Sequence, residues 1–329
     1  MHCELVVPGL FAAGAATRCA ALELLLARGR SRSAPSRRLE GWLHDAFELG
    51  EQPLAAGALT LLAHGDDPGE ACWARADPVH LRLMRDRLIV VPSEAFAVAR
   101  EEAEALCEAL NRHFAGALGL NACEPQRWCA RLSETFAIDA DSPLEVAGSD
   151  VDLSLPAGTR WHALLNEAQM VLHAHPVNEA REARGEPALN SVWLWGAGRV
   201  PRGAKCPWQS VAADDPVALG AARLAGARQR ALPRSAQDWL ERLPEDGRHL
   251  AVLDALRAPL ALSHEAEVRA AVEALERRWF EPLLGALRAG RIGMLTLQVP
   301  DGAGGIAFET IRADLRRFWR RPKSIGSYT

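Results

Sequence analysis

The chain contains no apolar run of about 18 residues, the minimum for a helix that crosses a bilayer. Its N-terminal stretch places Glu4 early and Arg18 inside the apolar segment. A secretory leader would put positive charge ahead of that segment. Neither a membrane span nor a leader is therefore expected. The seven cysteines, Cys3, Cys19, Cys72, Cys107, Cys123, Cys129 and Cys206, are odd in number, scattered, and include no C-x-x-C pair. This usage is that of reduced, mostly buried thiols in a cytoplasmic protein. Nucleotide-loop and nucleophile-elbow signatures are missing too. Gly302, Gly304 and Gly305 do not form G-x-x-x-x-G-K-[ST], and no G-x-S-x-G occurs. No repeat or low-complexity tract is present. A net charge of −4 does not suit a general polyanion binder.

What is present is a chain of 329 residues, 49% of them hydrophobic, long enough for two domains or one large domain with an insertion. Short apolar runs alternate with amphipathic stretches. Strands are expected near 5–7, 80–91, 127–132, 191–196, 249–253 and 292–299. Helices are expected at 16–29, 39–50, 54–63, 94–117, 159–173 (after Pro156-Ala157-Gly158), 216–231 and 264–289, the last closed by Gly290. The basic stretch RGRSRSAPSRR reads as a loop. Strands alternating with helices imply an α/β fold, a largely parallel sheet with helices on both faces.

The densest concentration of residue types that cores avoid lies at 173–201, HAHPVNEAREARGEPALNSVWLWGAGRVP. Asn178 and Arg181 are three residues apart, on one face of a short helix-like run. Trp193 and Trp195 share a strand face by the period of two. Gly196 and Gly198 end that strand, where a ligand approaches closely in open α/β sheets. Arginines supply forked donors for carboxylate or phosphate. The alternative is a glycine turn with packed tryptophans and solvated arginines. His173-Ala174-His175 and His64-Gly65-Asp66-Asp67 lack further partners at metal-ligand spacing. No metal and no cofactor are expected.

This segment resembles the archaeal-type, cofactor-independent phosphoglycerate mutases of the alkaline-phosphatase superfamily. The matching residues are His175-Pro176-Val177-Asn178, Arg181, Gly185, Asn190 and Gly196-Ala197-Gly198. Trp193-Leu194-Trp195-Gly196 is closer still to the bacterial RpfE-type regulatory proteins, a resemblance that extends over nearly the whole chain. Leu59-Thr60-Leu61-Leu62 with Asp67-Pro68, and Arg75-Ala76-Asp77-Pro78-Val79, are weaker echoes of the mutases. The resemblance implies an alkaline-phosphatase-like sheet domain from residues 1–70 and 191–329. A smaller α+β domain, 71–190, would be inserted between them.

The mutases move a phosphoryl group through a Ser nucleophile and two metal ions, which need several Asp and His ligands. Here their first-strand Asp-Gly corresponds to Pro8-Gly9, and the nucleophile falls near Leu54 in a stretch without Ser. Of their Asp-Glu-Ala-Gly-His motif only Asp254 remains, in Asp254-Ala255-Leu256-Arg257-Ala258. Their Asp-His-Ser-Thr-Pro becomes Val299-Pro300-Asp301-Gly302-Ala303. Asp254 is either a surviving functional acid or a helix N-cap. The expectation is a non-catalytic relative that binds a small phosphorylated or carboxylated ligand, or a protein partner, in a regulatory role. Arg75, Asn178, Arg181 and Arg199 would face the ligand. Trp193, Trp195, Gly196 and Gly198 would shape the cleft, with His175, Asn190 and Asp254 beside it. A rearranged active mutase or phosphatase is the alternative. The basic tail, Arg312 to Lys323 with Phe318 and Trp319 interleaved, offers a third reading, single-stranded nucleic acid binding.

Overall fold

The computed structural model describes residues 1–13, 17–34, 38–85, 87–133, 138, 140–150, 159–244, 246–302 and 305–328. Pro156-Ala157-Gly158, Ala303, Gly304 and part of the expected basic loop (35–37) lie outside the described residues. The chain divides into two compact units, Met1–Leu49 with Gly203–Thr329, and Gly50–Arg202.

The first unit begins with β1 (His2–Val6), α1 (Ala20–Arg28), β2 (Arg30–Ala34) and α2 (Leu39–Ala46). The second unit then runs α3 (Ala56–His64), β3 (Cys72–Met84), β4 (Arg87–Pro92), α4 (Arg100–Phe114), β5 (Leu118–Glu124), β6 (Arg127–Leu132), α5 (Thr159–His173), α6 (Pro176–Ala183) and β7 (Ser191–Gly198). The chain returns through β8 (Ser210–Ala212), α7 (Pro216–Leu224), β9 (Arg228–Arg230), α8 (Ala236–Glu241) and β10 (Arg248–Val252). It closes with α9 (Arg257–Ala261), α10 (Glu265–Leu275), α11 (Glu281–Ala289), β11 (Met294–Val299) and β12 (Gly305–Ile311).

The first unit is a seven-stranded sheet in the order β2-β12-β11-β1-β10-β8-β9. From β11 to β9 every pairing is parallel, and β12 and β2 add antiparallel at one edge. The α/β expectation therefore holds. Leu5, Ala251, Leu295 and Leu297 pack on one face against Leu22, Leu25, Phe280 and Leu284. α10 and α11 continue one another through a π-turn at Glu276–Phe280, and Gly290 ends the pair at φ 76°. That turn puts the Glu276 carboxylate on the N–H groups of Ala21 and Leu22. It caps α1, whose own N-cap residue, Cys19, accepts no capping hydrogen bond with its side chain. Burial pushes the Glu276 carboxyl pKa up, against those two hydrogen bonds.

Several elements differ from expectation. Residues 30–34 form an edge strand, because the β12 ladder holds their backbone while their side chains stay mostly exposed. The single strand expected at 80–91 is a hairpin, turned at Arg85 with φ 54°. The tail forms a short 3₁₀ turn at Arg312–Arg316, with Arg317 and Arg320 tied to the Arg28 and Gly29 carbonyls. The unit boundaries fall at 49/50 and 202/203, where 70 and 190 were expected. The reason is pairing. β7 runs antiparallel to β3 from Val79↔Ser191 to Trp73↔Gly198, and α3 packs on the same strands, so both belong to the inserted unit. No helix among the described residues is long and apolar enough to cross a membrane.

Candidate functional site

In the second unit, β3 pairs antiparallel with β6 through Cys72–Arg75 and with β7 through Trp73–Val79. This register lines up Cys129, Arg75 and Trp195 across three strands. Asp77 follows two residues after Arg75, on the same face. Arg75 donates from Nε and Nη2 to Asp77 Oδ1 at 3.0 and 2.5 Å, and Trp195 Nε1 donates to Asp77 Oδ2 at 2.7 Å. The guanidinium lies 5.4 Å from the Trp195 ring centroid, and its Nη1 is 3.5 Å from the Thr60 hydroxyl on α3. All four residues are buried. A buried carboxylate needs such pairing, and each polar group of Asp77 is spoken for. Glu94 stands close by. Its side chain is exposed. Desolvation and then the charge of Asp77 push its carboxyl pKa up, and Arg127 and Arg75 only partly oppose this.

The structure turns Asn178 and Arg181 inward. Asn178 is buried. Its amide donates to the Leu172 and Leu189 carbonyls, and its carbonyl accepts from Leu189 N–H. Arg181, 1% exposed, donates to the Pro187 and Ala97 carbonyls and pairs with Glu102 at 2.6 Å. Burial works against the Glu102 charge. The Ala99 N–H, Arg184 and Arg181 outweigh it and hold the carboxyl below its usual range. The expectation that Asn178 and Arg181 face a ligand is thus corrected: every polar group of the pair is consumed in tying α6 to α4 and to the β7 approach. His175 caps α6 by accepting from Val177 N–H at 3.2 Å. Asn190 exchanges two hydrogen bonds with the Leu81 backbone. Trp193 is buried and donates to the Asp141 carbonyl.

Gly196 and Gly198 do permit a close approach, but to the chain itself. A Cβ on Gly196 would stand 2.4 Å from the Ala56 Cβ, and one on Gly198 2.8 Å from the Ala55 Cβ. The glycines seat the start of α3 on β7. Since β7 belongs to an antiparallel sheet, the strand-end argument for a ligand rim does not apply there.

Arg199 lies apart from these residues. With Arg131, Glu70, Ser133, Gly116 and Gly119 it lines a cavity of about 410 Å³, within the range that holds small metabolites. Sequence reasoning missed Arg131, Asp77 and Thr60. Asp77 was legible, because the Arg-x-Asp spacing on a strand places both side chains on one face.

In the first unit, the C-terminal ends of the parallel strands form the rim where α/β proteins bind ligands. After β1 come Val7, Pro8 and Gly9, the first two buried, and a Cβ on Gly9 would meet the Leu260 side chain at 2.5 Å. After β8, Asp215 accepts from Ala218 N–H and Asp214 from Leu232 N–H. Asp254 follows β10 and Asp301 follows β11, each partly exposed. Asp254 is not the cap of α9, which starts behind Leu256. This donor set contains no His or Cys, and two of its four carboxylates serve the backbone. It does not fit a two-metal centre. Among the described residues no three His, Cys, Asp or Glu side chains group so as to hold a metal ion.

No protein-family model matches the chain. Over 63 residues it is 38% identical to a probable 2,3-bisphosphoglycerate-independent phosphoglycerate mutase of Geobacter sulfurreducens, a match covering 18% of this chain and 16% of that protein. Over 213 residues it is 23% identical to the 2,3-bisphosphoglycerate-independent phosphoglycerate mutase of Methanosarcina mazei, covering 57% of this chain and 50% of that one. The chain thus spans half or less of the length of the curated relatives it matches. Among solved structures, the PH0037 protein of Pyrococcus horikoshii aligns with a TM-score of 0.58 at 14% identity, over 94% of this chain and 87% of that one. The fold is α/β, a mostly parallel sheet flanked by helices, and it is shared with the PH0037 protein. Parts of the chain are thus similar in sequence to 2,3-bisphosphoglycerate-independent phosphoglycerate mutases.

Proposed function

We propose that this chain is a binding protein built on the mutase fold and does not perform the mutases' metal-dependent phosphoryl transfer. The observation that carries this reading is the rim of the parallel sheet. Buried Pro8, Gly9 packed under Leu260, and Asp214 and Asp215 capping backbone stand where a two-metal site needs free carboxylates and imidazoles. The ligand is a small phosphorylated or carboxylated acid. The cavity beside Arg131 and Arg199 supports this, since two guanidinium groups at one concave site offer forked donors to such an anion. The Trp193-Leu194-Trp195-Gly196 resemblance supports a regulatory role of the RpfE type, in a bacterial cytoplasm, with a protein partner as the receiver.

A thermal-shift series with 3-phosphoglycerate and related phosphorylated acids tests the ligand half. A ligand at 100 times its Kd adds about 2.7 kcal/mol to stability by mass action, a rise of several degrees. Arg131→Glu and Arg199→Glu should each abolish the rise. A rise that survives both substitutions places the ligand elsewhere, and no rise with any phosphorylated or carboxylated acid removes the ligand half of the proposal.

A further inference from the structure

β5 carries a bulge between Ala122 and Glu124, at Cys123. The bulge brings the Cys123 sulfur to 3.2 Å from the sulfur of Cys129 on β6. Unbonded sulfurs seldom come so close, and a disulfide needs them about 2.05 Å apart. Both residues lie in one hairpin, so closing the gap asks for side-chain rotation and a small adjustment at the bulge. The two thiols are unequal. Cys123 is partly exposed at the end of β5, whereas Cys129 is buried, lies opposite Arg75 and is 3.7 Å from the Gly57 carbonyl. A reachable cysteine backed by a buried one is the arrangement of redox-sensing thiols.

We propose that Cys123 and Cys129 form a reversible disulfide, a redox modification site in which Cys123 is the attacking thiol and Cys129 the resolving one. This inference is independent of the ligand reading above. The contact with the Cys129 thiol lowers the Cys123 pKa against burial, with the Arg75 charge helping, and the same contact with burial raises the Cys129 pKa. The oxidant is a low-molecular-weight disulfide such as glutathione disulfide. The Cys123 thiolate attacks one of its sulfurs, forming a mixed disulfide and expelling one glutathione thiolate. Cys129 then loses its proton to solvent, and its sulfur attacks the Cys123 sulfur, expelling the second thiolate. Two protein thiols are oxidised by two electrons, and one glutathione disulfide is reduced to two thiols. The new bond clamps β5 to β6 beside the buried Arg75–Asp77–Trp195 row.

The remaining cysteines do not compete. Cys3, Cys19, Cys72 and Cys107 are buried, and burial pushes the thiols of Cys3 and Cys19 up to about 12. Cys206 is partly exposed, and burial raises its thiol as well. The test is to equilibrate the reduced full chain in glutathione buffers of rising oxidised fraction. Samples are then acid-quenched, alkylated under denaturing conditions and mapped with trypsin. Arg127 lies between the two cysteines, so cleavage there separates them and a linked peptide reports the bond directly. The expected result is loss of two of the seven alkylation sites, mapped to Cys123–Cys129 and restored by dithiothreitol. Cys129→Ser should stop at a glutathione adduct on Cys123, and Cys123→Ser should leave Cys129 unmodified. Seven alkylated cysteines at every buffer composition, a bond between other cysteines, or a glutathione adduct persisting on Cys123 of the parent would each overturn the proposal. These readouts on the parent chain hold whether or not either variant folds.

Discussion

Replacing Arg181 with alanine separates a structural role from a ligand-binding one. The side chain is fully enclosed, and its loss strips partners from the Pro187 and Ala97 carbonyls and one cation from Glu102. Removing one member of a buried ion pair costs about 3–5 kcal/mol, and each buried acceptor left bare about 1–3 kcal/mol. Glu102 keeps Arg184 and the Ala99 N–H, so it is not left alone. The total is therefore set at the lower range, about 3–5 kcal/mol. For a unit of this size each kcal/mol lowers the melting temperature by about 2–4 °C, so Arg181→Ala should melt roughly 10 °C below the parent. Arg184→Ala is the control: the same Glu102 is its partner, but Arg184 is exposed and its pairing is screened by water. It should melt close to the parent. Thermal melts followed by far-UV circular dichroism, with urea titrations for the free energy, decide the matter. Equal melting temperatures for Arg181→Ala and the parent would refute the structural assignment.

Gly196→Ala should cost at least about 2 kcal/mol, because a side chain at φ 56° is strained and the new methyl meets Ala56. Gly185→Ala shares the left-handed backbone at φ 74° but meets nothing, and should cost only about 1 kcal/mol. Equal costs in a urea series would show that helix contact does not matter at Gly196. Stability should also fall in acid. Burial holds the His2, His175 and His249 imidazoles below their ordinary value of 6.5 in the folded chain. Each resists a proton that the unfolded chain accepts, so their contribution is complete above 6.5 and is lost as pH drops from there toward the folded values. Urea midpoints that stay flat from pH 7.5 to 5.5 would contradict this, as would midpoints unchanged in His249→Gln.

The sequence revealed the elements whose hydrophobic period is strong. β6, β7, β10, β11 and the long helix ending at Gly290 all stand where apolar spacing places them. It hid β2, β8 and β9, because three-residue strands and an exposed RSRSA segment owe their form to neighbours' backbones and not to side-chain pattern. The central segment was recognised as unusual for a sound reason: Asn178, Arg181 and Asn190 are polar residues that cores avoid. Their meaning was inverted, since polar types are equally needed to satisfy buried carbonyls where α6 packs without a regular ladder. Which sheet a strand joins was also invisible. Gly196 looked like a parallel-strand terminus until pairing with β3 showed otherwise. Cys123 and Cys129 were separated in the sequence by five residues of unremarkable spacing, and only the bulge brings them together.

The most direct test of the central reading is elemental analysis of chain purified without chelator, paired with a phosphoglycerate interconversion assay in added manganese. Buried Pro8, Gly9 under Leu260, and the backbone-bound Asp214 and Asp215 predict no stoichiometric transition metal and no interconversion above the rate without protein. About two tightly held zinc or manganese ions per chain, together with metal-dependent turnover, would contradict it.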